Sequence, residues 1–219
     1  MDVEYRRAQA AVKFGSVLFP FDALRFAKLL MERGFILAQG LEEMDVPFEG
    51  RLNARGSIAK KGDLSIRLDT DKYVLAVHSM SPKASMDLLV DLESWLQNDL
   101  KYQLAKDTQY YELLVNGLGK ASNSALAAIR KIQVGNFCQT ISDIFGSRLS
   151  PIGIRLSTDS ANANQEEWCD IRLQPHFPDT DSHYAFEIVF RTSDRGKLQT
   201  FVAQLEERLN KMVAALDKG

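Results

Sequence analysis

The chain has 219 residues, of which 45% are hydrophobic and 26% are charged, and its formal net charge is −2. These values predict a folded globular protein, exclude an intrinsically disordered chain, and argue against a strongly basic nucleic-acid-binding domain. No apolar run approaches the length of about 18 residues that a membrane-spanning helix requires, so we expect no membrane association.

The N-terminus and the cysteines predict a cytoplasmic protein. The first residues are charged and lead into no apolar segment, so no signal peptide is expected. The two cysteines, Cys138 and Cys169, lack the CxxC spacing. We therefore expect two buried free thiols in a reducing compartment, with a single disulfide as the alternative.

The first half of the chain is predicted to contain a strand, a helix and several antiparallel strands. Residues 11–18 form an apolar strand candidate, and Asp22 is placed to cap a following helix. A short strand is expected at residues 35–41. Residues 52–58 and 64–68 flank a Gly-Asp turn, which predicts a β-hairpin.

A further strand, residues 73–77, leads into an amphipathic helix that is expected to run to Leu100. Ser81 suits the helix N-cap. Pro82 suits the first helical position, because the N–H that proline lacks would have no partner there. The apolar stripe of this helix comprises Met86, Leu89, Val90, Trp95 and Leu96.

The second half is predicted to follow a similar order, with one additional helix. A polar link over residues 104–109 precedes a strand at residues 110–115, which residues 116–120 are expected to break. Helices are predicted at residues 122–132 and 136–145, and strands at residues 151–157, 168–173 and 184–191. A final helix after Asp194 carries apolar residues on one face from Leu198 to Leu216.

Residues 65–100 and 170–212 share the order strand, turn, strand, cap and helix. This repeat predicts an α+β fold of tandem-duplicated strand–helix–antiparallel strands–helix units, with a mostly antiparallel sheet and helices on one face. Residues 1–104 form the first half and residues 105–219 the second, related by a pseudo-twofold axis, with one continuous domain as a possibility. The element order resembles the saddle of TATA-box-binding proteins or a pair of ferredoxin-like domains. No motif of either family is present, so the resemblance implies no site residue and no activity.

Arginines alternate with apolar residues on the predicted strands. Strand side chains point to opposite faces in turn, so burial of the flanking aliphatic residues directs each arginine away from the helices. Such a face can hold phosphate groups, because the guanidinium fork matches their geometry. The candidate ligand-binding residues are Arg67, Arg155 and Arg172, and Arg191 follows the same alternation.

The alternative is an ordinary solvated face. The carboxylates of Asp69, Asp170 and Glu187 follow the same alternation, and we expect them to pair with the arginines across strands. Aromatic residues that could stack on bases are sparse at these outward positions, which also favours this alternative over nucleic-acid binding.

Gly117, Gly119 and Lys120 form a second candidate site, because they follow a predicted strand and precede a predicted helix, as in a phosphate-binding loop. The spacing differs from GxxxxGK[ST]. Leu114 stands where the first glycine is required, and Ala121 stands where the hydroxyl is required. A flexible turn is therefore expected, with nucleotide binding as the alternative.

The three histidines carry no stronger signal. Two histidines and two aspartates lie between residues 176 and 183, a composition that could ligate a metal, but a proline-containing loop does not preset ligand geometry. His78 has no serine, cysteine or carboxylate partner at a fixed spacing and is expected to be structural. We predict neither a metal nor another cofactor.

The leading hypothesis is a non-enzymatic binding or assembly module that associates with protein partners, or with itself, through a sheet face or edge. It depends on the lack of a catalytic constellation and on the expected free strand edges, which are natural pairing sites. The first alternative is a nucleic-acid or phospholigand binder that uses Arg67, Arg155 and Arg172. The second is a small-ligand enzyme with a site between the two halves.

Overall fold

In the computed structural model, the chain is an α+β fold with an open, wholly antiparallel sheet of nine strands, counted over the residues described. The structure describes residues 2–15, 23–38, 55–69, 71–132, 137–158, 166–177 and 179–218. The predicted helix cap at Asp22 lies outside these ranges. The predicted α+β class and the mostly antiparallel sheet are confirmed.

The strand order across the sheet is β2-β3-β4-β5-β1-β6-β9-β8-β7. The elements up to residue 107 are β1 (Val3–Phe14), α1 (Ala23–Glu32), β2 (Ile36–Leu37), β3 (Arg55–Lys61), β4 (Leu64–Asp69), β5 (Val74–Ser79), α2 (Pro82–Asn98) and α3 (Leu104–Asp107). The later elements are β6 (Thr108–Lys120), α4 (Ala125–Lys131), α5 (Phe137–Phe145), β7 (Ile154–Ser157), β8 (Trp168–Pro175), β9 (His183–Thr192), α6 (Arg195–Ala203) and α7 (Leu205–Lys218).

Strands β1 and β6 pair along most of their length in the middle of the sheet. Alternate residues of β1, among them Ala8 and Ala10, are fully buried beneath α2, and the Ser85 hydroxyl of α2 donates to the carbonyl of Ala8 at 3.4 Å. The strand register places Phe190 of β9 on the same face as Ala10. Phe201 of α6 stacks on Phe190 with ring centroids 4.1 Å apart, so α2 and α6 cover the same face.

The predicted positions at which helices begin, after β5 and after β9, are confirmed. The Ser81 hydroxyl accepts a hydrogen bond from the Ala84 N–H at 3.2 Å, and Pro82 occupies the first turn of α2. The Asp194 carboxylate accepts bonds from the N–H groups of Gly196 and Lys197, which caps α6. Each cap provides partners for N–H groups that a helix leaves unpaired at its start.

Several predicted boundaries are wrong. β1 begins at Val3, not residue 11, because its charged N-terminal residues fill exposed positions beside β6. The predicted polar link over residues 104–109 instead forms α3 and the start of β6. The single predicted final helix is interrupted at Gln204, although Phe201 and Leu205 on either side remain buried.

A buried carboxylate connects the helix of the first half to the second half. Glu93 of α2 is only 3% exposed. Its Oε1 accepts a hydrogen bond from the Tyr111 hydroxyl of β6 at 2.8 Å, and its Oε2 accepts one from the Arg195 guanidinium of α6 at 3.2 Å. Burial raises the pKa of Glu93 above its usual range, although the bonds from Tyr111 and Arg195 act in the opposite direction.

We predict that Glu93→Gln makes the stability of the protein less dependent on pH. A carboxyl whose pKa is higher in the folded state stabilises the fold below its unfolded pKa, and this contribution is lost as pH rises through the folded pKa. Glutamine stays neutral and can still accept from Tyr111. Urea unfolding from about pH 4.5, the ordinary Glu value, to neutral pH should therefore show a smaller fall in the free energy of unfolding for Glu93→Gln than for the wild type.

Asp91→Asn is the matched control, because Asp91 lies on the same helix but is exposed. This variant should keep the pH profile of the wild type. Identical profiles for Glu93→Gln and the wild type would show that ionisation of Glu93 is not coupled to folding.

Candidate functional site

The predicted arginines lie together on the sheet face opposite α2 and α6, which we call the arginine face. The register aligns Arg191 of β9 with Glu112 of β6 and with Ala11 of β1. Ala11 follows Ala10, which is buried beneath α2, and side chains alternate along a strand, so the three aligned residues point away from the helices. Arg155 and Arg172 are cross-strand partners, and the register places Arg172 beside Glu187. The predicted direction of the arginines agrees with this register.

Two of the three candidate ligand-binding arginines form ion pairs with carboxylates. Arg155 donates to both carboxylate oxygens of Asp170, with Nε–Oδ1 at 3.0 Å and Nη2–Oδ2 at 2.9 Å. Arg172 lies 3.4 Å from Glu187. Asp170 and Glu187 were both expected to pair with arginines if this face is an ordinary solvated face. Neither guanidinium is left with an uncompensated charge to attract a phosphate group.

Arg191 is held more tightly than any of the three candidates. Its Nη2 lies 2.6 Å from Glu112 Oε2, and the guanidinium carbon lies 4.1 Å from the ring centre of Tyr110 and 4.9 Å from that of Trp168. The residue is 6% exposed. Sequence reasoning missed this cluster, because its members come from three strands that only the register brings together.

Arg67 is separated from the other two candidates. Five strand steps lie between β4 and β8, which corresponds to about 24 Å. Arg67 forms no ion pair with any residue in the described ranges, and the acidic residue nearest to it on β4, Asp69, accepts the Lys72 N–H. The three candidates therefore do not form one ligand site.

Arg67 and Arg7 instead both lie near His78, which the sequence did not connect with them. Burial, together with the positive charges of Arg7 and Arg67, lowers the pKa of His78 to about 4. His78 Nε2 is buried and has no hydrogen-bond partner. Arg7, Gln9 and Ala11 alternate along β1 and share one face of the sheet, which would have indicated this group. The prediction missed it because it started the first strand at residue 11.

The predicted break in the strand at residues 116–120 is wrong. Gly117 and Gly119 lie within β6 and pair with residues of both β1 and β9, so their backbone groups belong to the sheet and do not form a loop at a helix N-terminus. Lys120 ends the strand, where its N–H donates to the carbonyl of Asp2. α4 begins only at Ala125. The arrangement lacks the geometry that a phosphate-binding loop requires.

Two aspartates of the loop between β8 and β9 bond to the start of β9 and to the start of α4. His183 Nδ1 lies 2.9 Å from Asp179 Oδ2, and Asp181 accepts from the Ser124 hydroxyl at 2.5 Å. Among the described residues, no group of three or more histidine, cysteine, aspartate or glutamate side chains is placed to hold a metal ion. The two cysteines are free and half-buried, and burial raises the pKa of the Cys169 thiol.

A cleft of about 350 Å³ lies between α2 and α6, where the two halves meet. Burial raises the pKa of Tyr5 to about 12, so this lining residue stays protonated at neutral pH. Lys83 and Asp87 pair with each other at 2.5 Å, and the Ser81 hydroxyl caps α2. The cleft lies where an enzyme site was considered, and three of its polar lining residues are already engaged, Lys83 and Asp87 with each other and Ser81 with the start of α2.

Exposed apolar residues are concentrated at the opposite end of the sheet, at α5 and β7. We call this group the β7 patch, and its members are 42% to 71% exposed. It comprises Ile144, Phe145, Leu149, Ile152 and Leu156. A groove of about 1090 Å³ runs beside it between the end of α4 and α5. The sequence predicted the elements correctly but gave no indication that these side chains would remain in water.

Comparison of the chain with protein-family profiles, with curated proteins and with solved structures finds no match. None of the helices in the described ranges has the length and apolar character needed to cross a membrane. The arguments about function therefore depend on the geometry of the arginine face and of the β7 patch.

We predict that Gly117→Ala strongly destabilises the protein. A Cβ atom at this position would lie 2.3 Å from the carbonyl oxygen of Glu4 and 2.8 Å from the ring of Phe186, and the first of these is backbone in the paired strand. Overpacking of this kind costs about 1–3 kcal/mol or more. Asn116→Ala, at the adjacent half-buried strand position, is the control. Thermal unfolding should show a much larger loss for Gly117→Ala, and equal losses would contradict the tight packing of β1 on β6.

Proposed function

We propose that the protein is a non-enzymatic assembly module that associates with a second copy of itself through the edge strand β7. The observation that carries this proposal is the β7 patch, in which five large apolar side chains within 13 residues lie exposed beside a free strand edge. Exposed apolar groups of this kind are typical of protein interaction surfaces.

Among the described residues, the β7 edge, with four residues, is less protected against pairing than the β2 edge. Natural edge strands are commonly blunted by charged side chains or by very short strands. The one charge on β7, Arg155, is neutralised by Asp170. The other edge strand, β2, has only two residues, which limits pairing there. The structure thus favours β7 as the pairing edge.

A second copy fits this edge. Antiparallel pairing of β7 with its own counterpart around a twofold axis at Leu156 can place Leu156 opposite Leu156 of the other copy and Arg155 opposite Ser157, so that no like charges face each other. The same axis brings the two β7 patches to the same side of the contact. Burial of both patches then supplies the apolar area that a two-stranded contact alone lacks.

We also propose that the sheet arose by tandem duplication, with the halves at residues 1–104 and 105–219. The strand order supports this, because β1-β5-β4-β3 on one side of the central pair corresponds to β6-β9-β8-β7 on the other. In each half a capped helix, α2 or α6, also follows the strand next to the central pair, β5 or β9. The likeness to TATA-box-binding proteins or paired ferredoxin-like domains remains part of this proposal, as does the cytoplasmic location suggested by the two free thiols.

We predict that the protein forms a dimer, and that Leu156→Ser and Phe145→Ser each weaken it. Both side chains are exposed, so their replacement should leave the fold intact while removing apolar area from the contact. Sedimentation equilibrium over a range of protein concentrations should show at least about a tenfold loss of dimer affinity for each variant. Added salt should have little effect, because the contact is mainly apolar.

Ile36→Ser is the matched control, since Ile36 is an exposed apolar residue at the other edge of the sheet. Its dimer affinity should equal that of the wild type. A wild-type protein that stays monomeric at its highest soluble concentration, or a control that weakens the dimer as much as Leu156→Ser, would refute association through β7.

A further inference from the structure

The arginine face carries an unbalanced group of basic residues on its first-half side. Lys60, Ser65, His78 and Gln9 form a row across four neighbouring strands, since each is the cross-strand partner of the next. The row contains a lysine, a histidine and two neutral residues that can donate hydrogen bonds. No carboxylate interrupts it.

Two arginines flank His78 at diagonal positions. Arg67 is two residues from Ser65 on β4, and Arg7 is two residues from Gln9 on β1. The Cα atom of each arginine therefore lies diagonally across from that of His78, at about 7–8 Å. Long side chains can span that distance. The register places Arg7 and Arg67 on the two strands that flank β5, and both positive charges lower the pKa of the His78 imidazole.

These cations differ from the other arginines of the same face. Arg155, Arg172 and Arg191 each have a carboxylate partner. The side chains of Arg67 and Lys60 make no hydrogen bond or ion pair within the described part of the chain, and the bond from the Arg7 side chain to Gln9 Oε1 is long, at 3.5 Å.

The acidic residues nearest to this group do not neutralise it. Asp69 lies beyond Arg67 on β4 and accepts the Lys72 N–H, and Glu4, three residues before Arg7 at the start of β1, is exposed and forms no ion pair within the described ranges. Like charges gathered without counter-charges repel one another, so an anion bound among them is stabilised.

We propose that Arg7, Arg67 and His78 form a binding site for the phosphate group of a small molecule. Two guanidinium forks suit a tetrahedral dianion, and such charge-assisted hydrogen bonds are the strong ones. The buried Nε2 of His78 has no partner at present. In the tautomer that carries its proton on Nε2, this atom donates a third hydrogen bond to the phosphate. Lys60 adds positive charge at the side of the site.

A nucleic acid fits this group of residues less well. Single-stranded nucleic acids need aromatic surfaces for base stacking. The arginine-face positions next to the site are Ser57, Ser65, Ala76, Gln9 and Ala11. The site therefore offers charge for a phosphate group but no stacking platform for bases.

The test is titration of the full-length protein with inorganic phosphate at low ionic strength, followed by the NMR signals of the His78 imidazole. Phosphate should shift the signals of His78 and raise its pKa from about 4, because the bound dianion offsets the two guanidinium charges. Chloride and acetate at the same ionic strength should not reproduce the shift. No shift at millimolar phosphate, or an equal shift with chloride, overturns the site.

Arg67→Gln and Arg7→Gln should each weaken phosphate binding by about tenfold or more, as expected for loss of a charge-assisted hydrogen bond. Arg172→Gln is the matched control, because Arg172 is an arginine of the same face that is already paired. Equal weakening by the control would indicate nonspecific attraction and overturn the proposal.

Tight, salt-sensitive binding of an oligonucleotide without phosphate binding would overturn it in favour of nucleic acid. Arg7 and Arg67 lie on β1 and β4, which other strands separate from β7, so the dimer measurement is independent of the result for these two variants.

Discussion

The antiparallel pairing of β1 with β6 is the constraint on which the rest of the structure depends. These strands lie between the β5 side and the β9 side of the sheet, so their register determines how every other strand is placed. A slip of one residue would turn Ala8 and Ala10 to the other face, since side chains alternate along a strand. Gly117 permits the close approach of β1 at this contact, and the Glu93 network fixes α2 above it.

The direction of the arginines could be predicted from the sequence, but their partners could not. The alternation of side chains between the two faces is a local property of a strand, and the residues flanking Arg67 and Arg172 are apolar and make it visible in the sequence. The contact of Arg191 with Glu112, Tyr110 and Trp168 depends on which strands are neighbours and on their register, and neither is encoded in a short segment. Arg7 was missed because the charged residues at the start of β1 are not typical of a strand, so the predicted strand began only at residue 11.

Two further differences show where local rules fail. Glycines beside a lysine are typical of a turn, yet Gly117 lies in the sheet because a neighbouring strand leaves no room for a side chain. The predicted α5 helix and β7 strand are present in the structure. Nothing in their sequence distinguishes an apolar residue that is buried from one such as Phe145 that remains exposed, because burial depends on the packing of distant elements.

The two tryptophans of the chain lie in different halves, and each is in contact with an arginine. Trp95 lies 4.5 Å from the guanidinium carbon of Arg33, and Trp168 lies 4.9 Å from that of Arg191. Each indole is therefore an intrinsic fluorophore whose emission reports on one half alone. Replacement of either tryptophan by phenylalanine leaves a single optical reporter, and the two denaturation curves obtained in this way reveal whether the halves unfold in one cooperative step or in sequence.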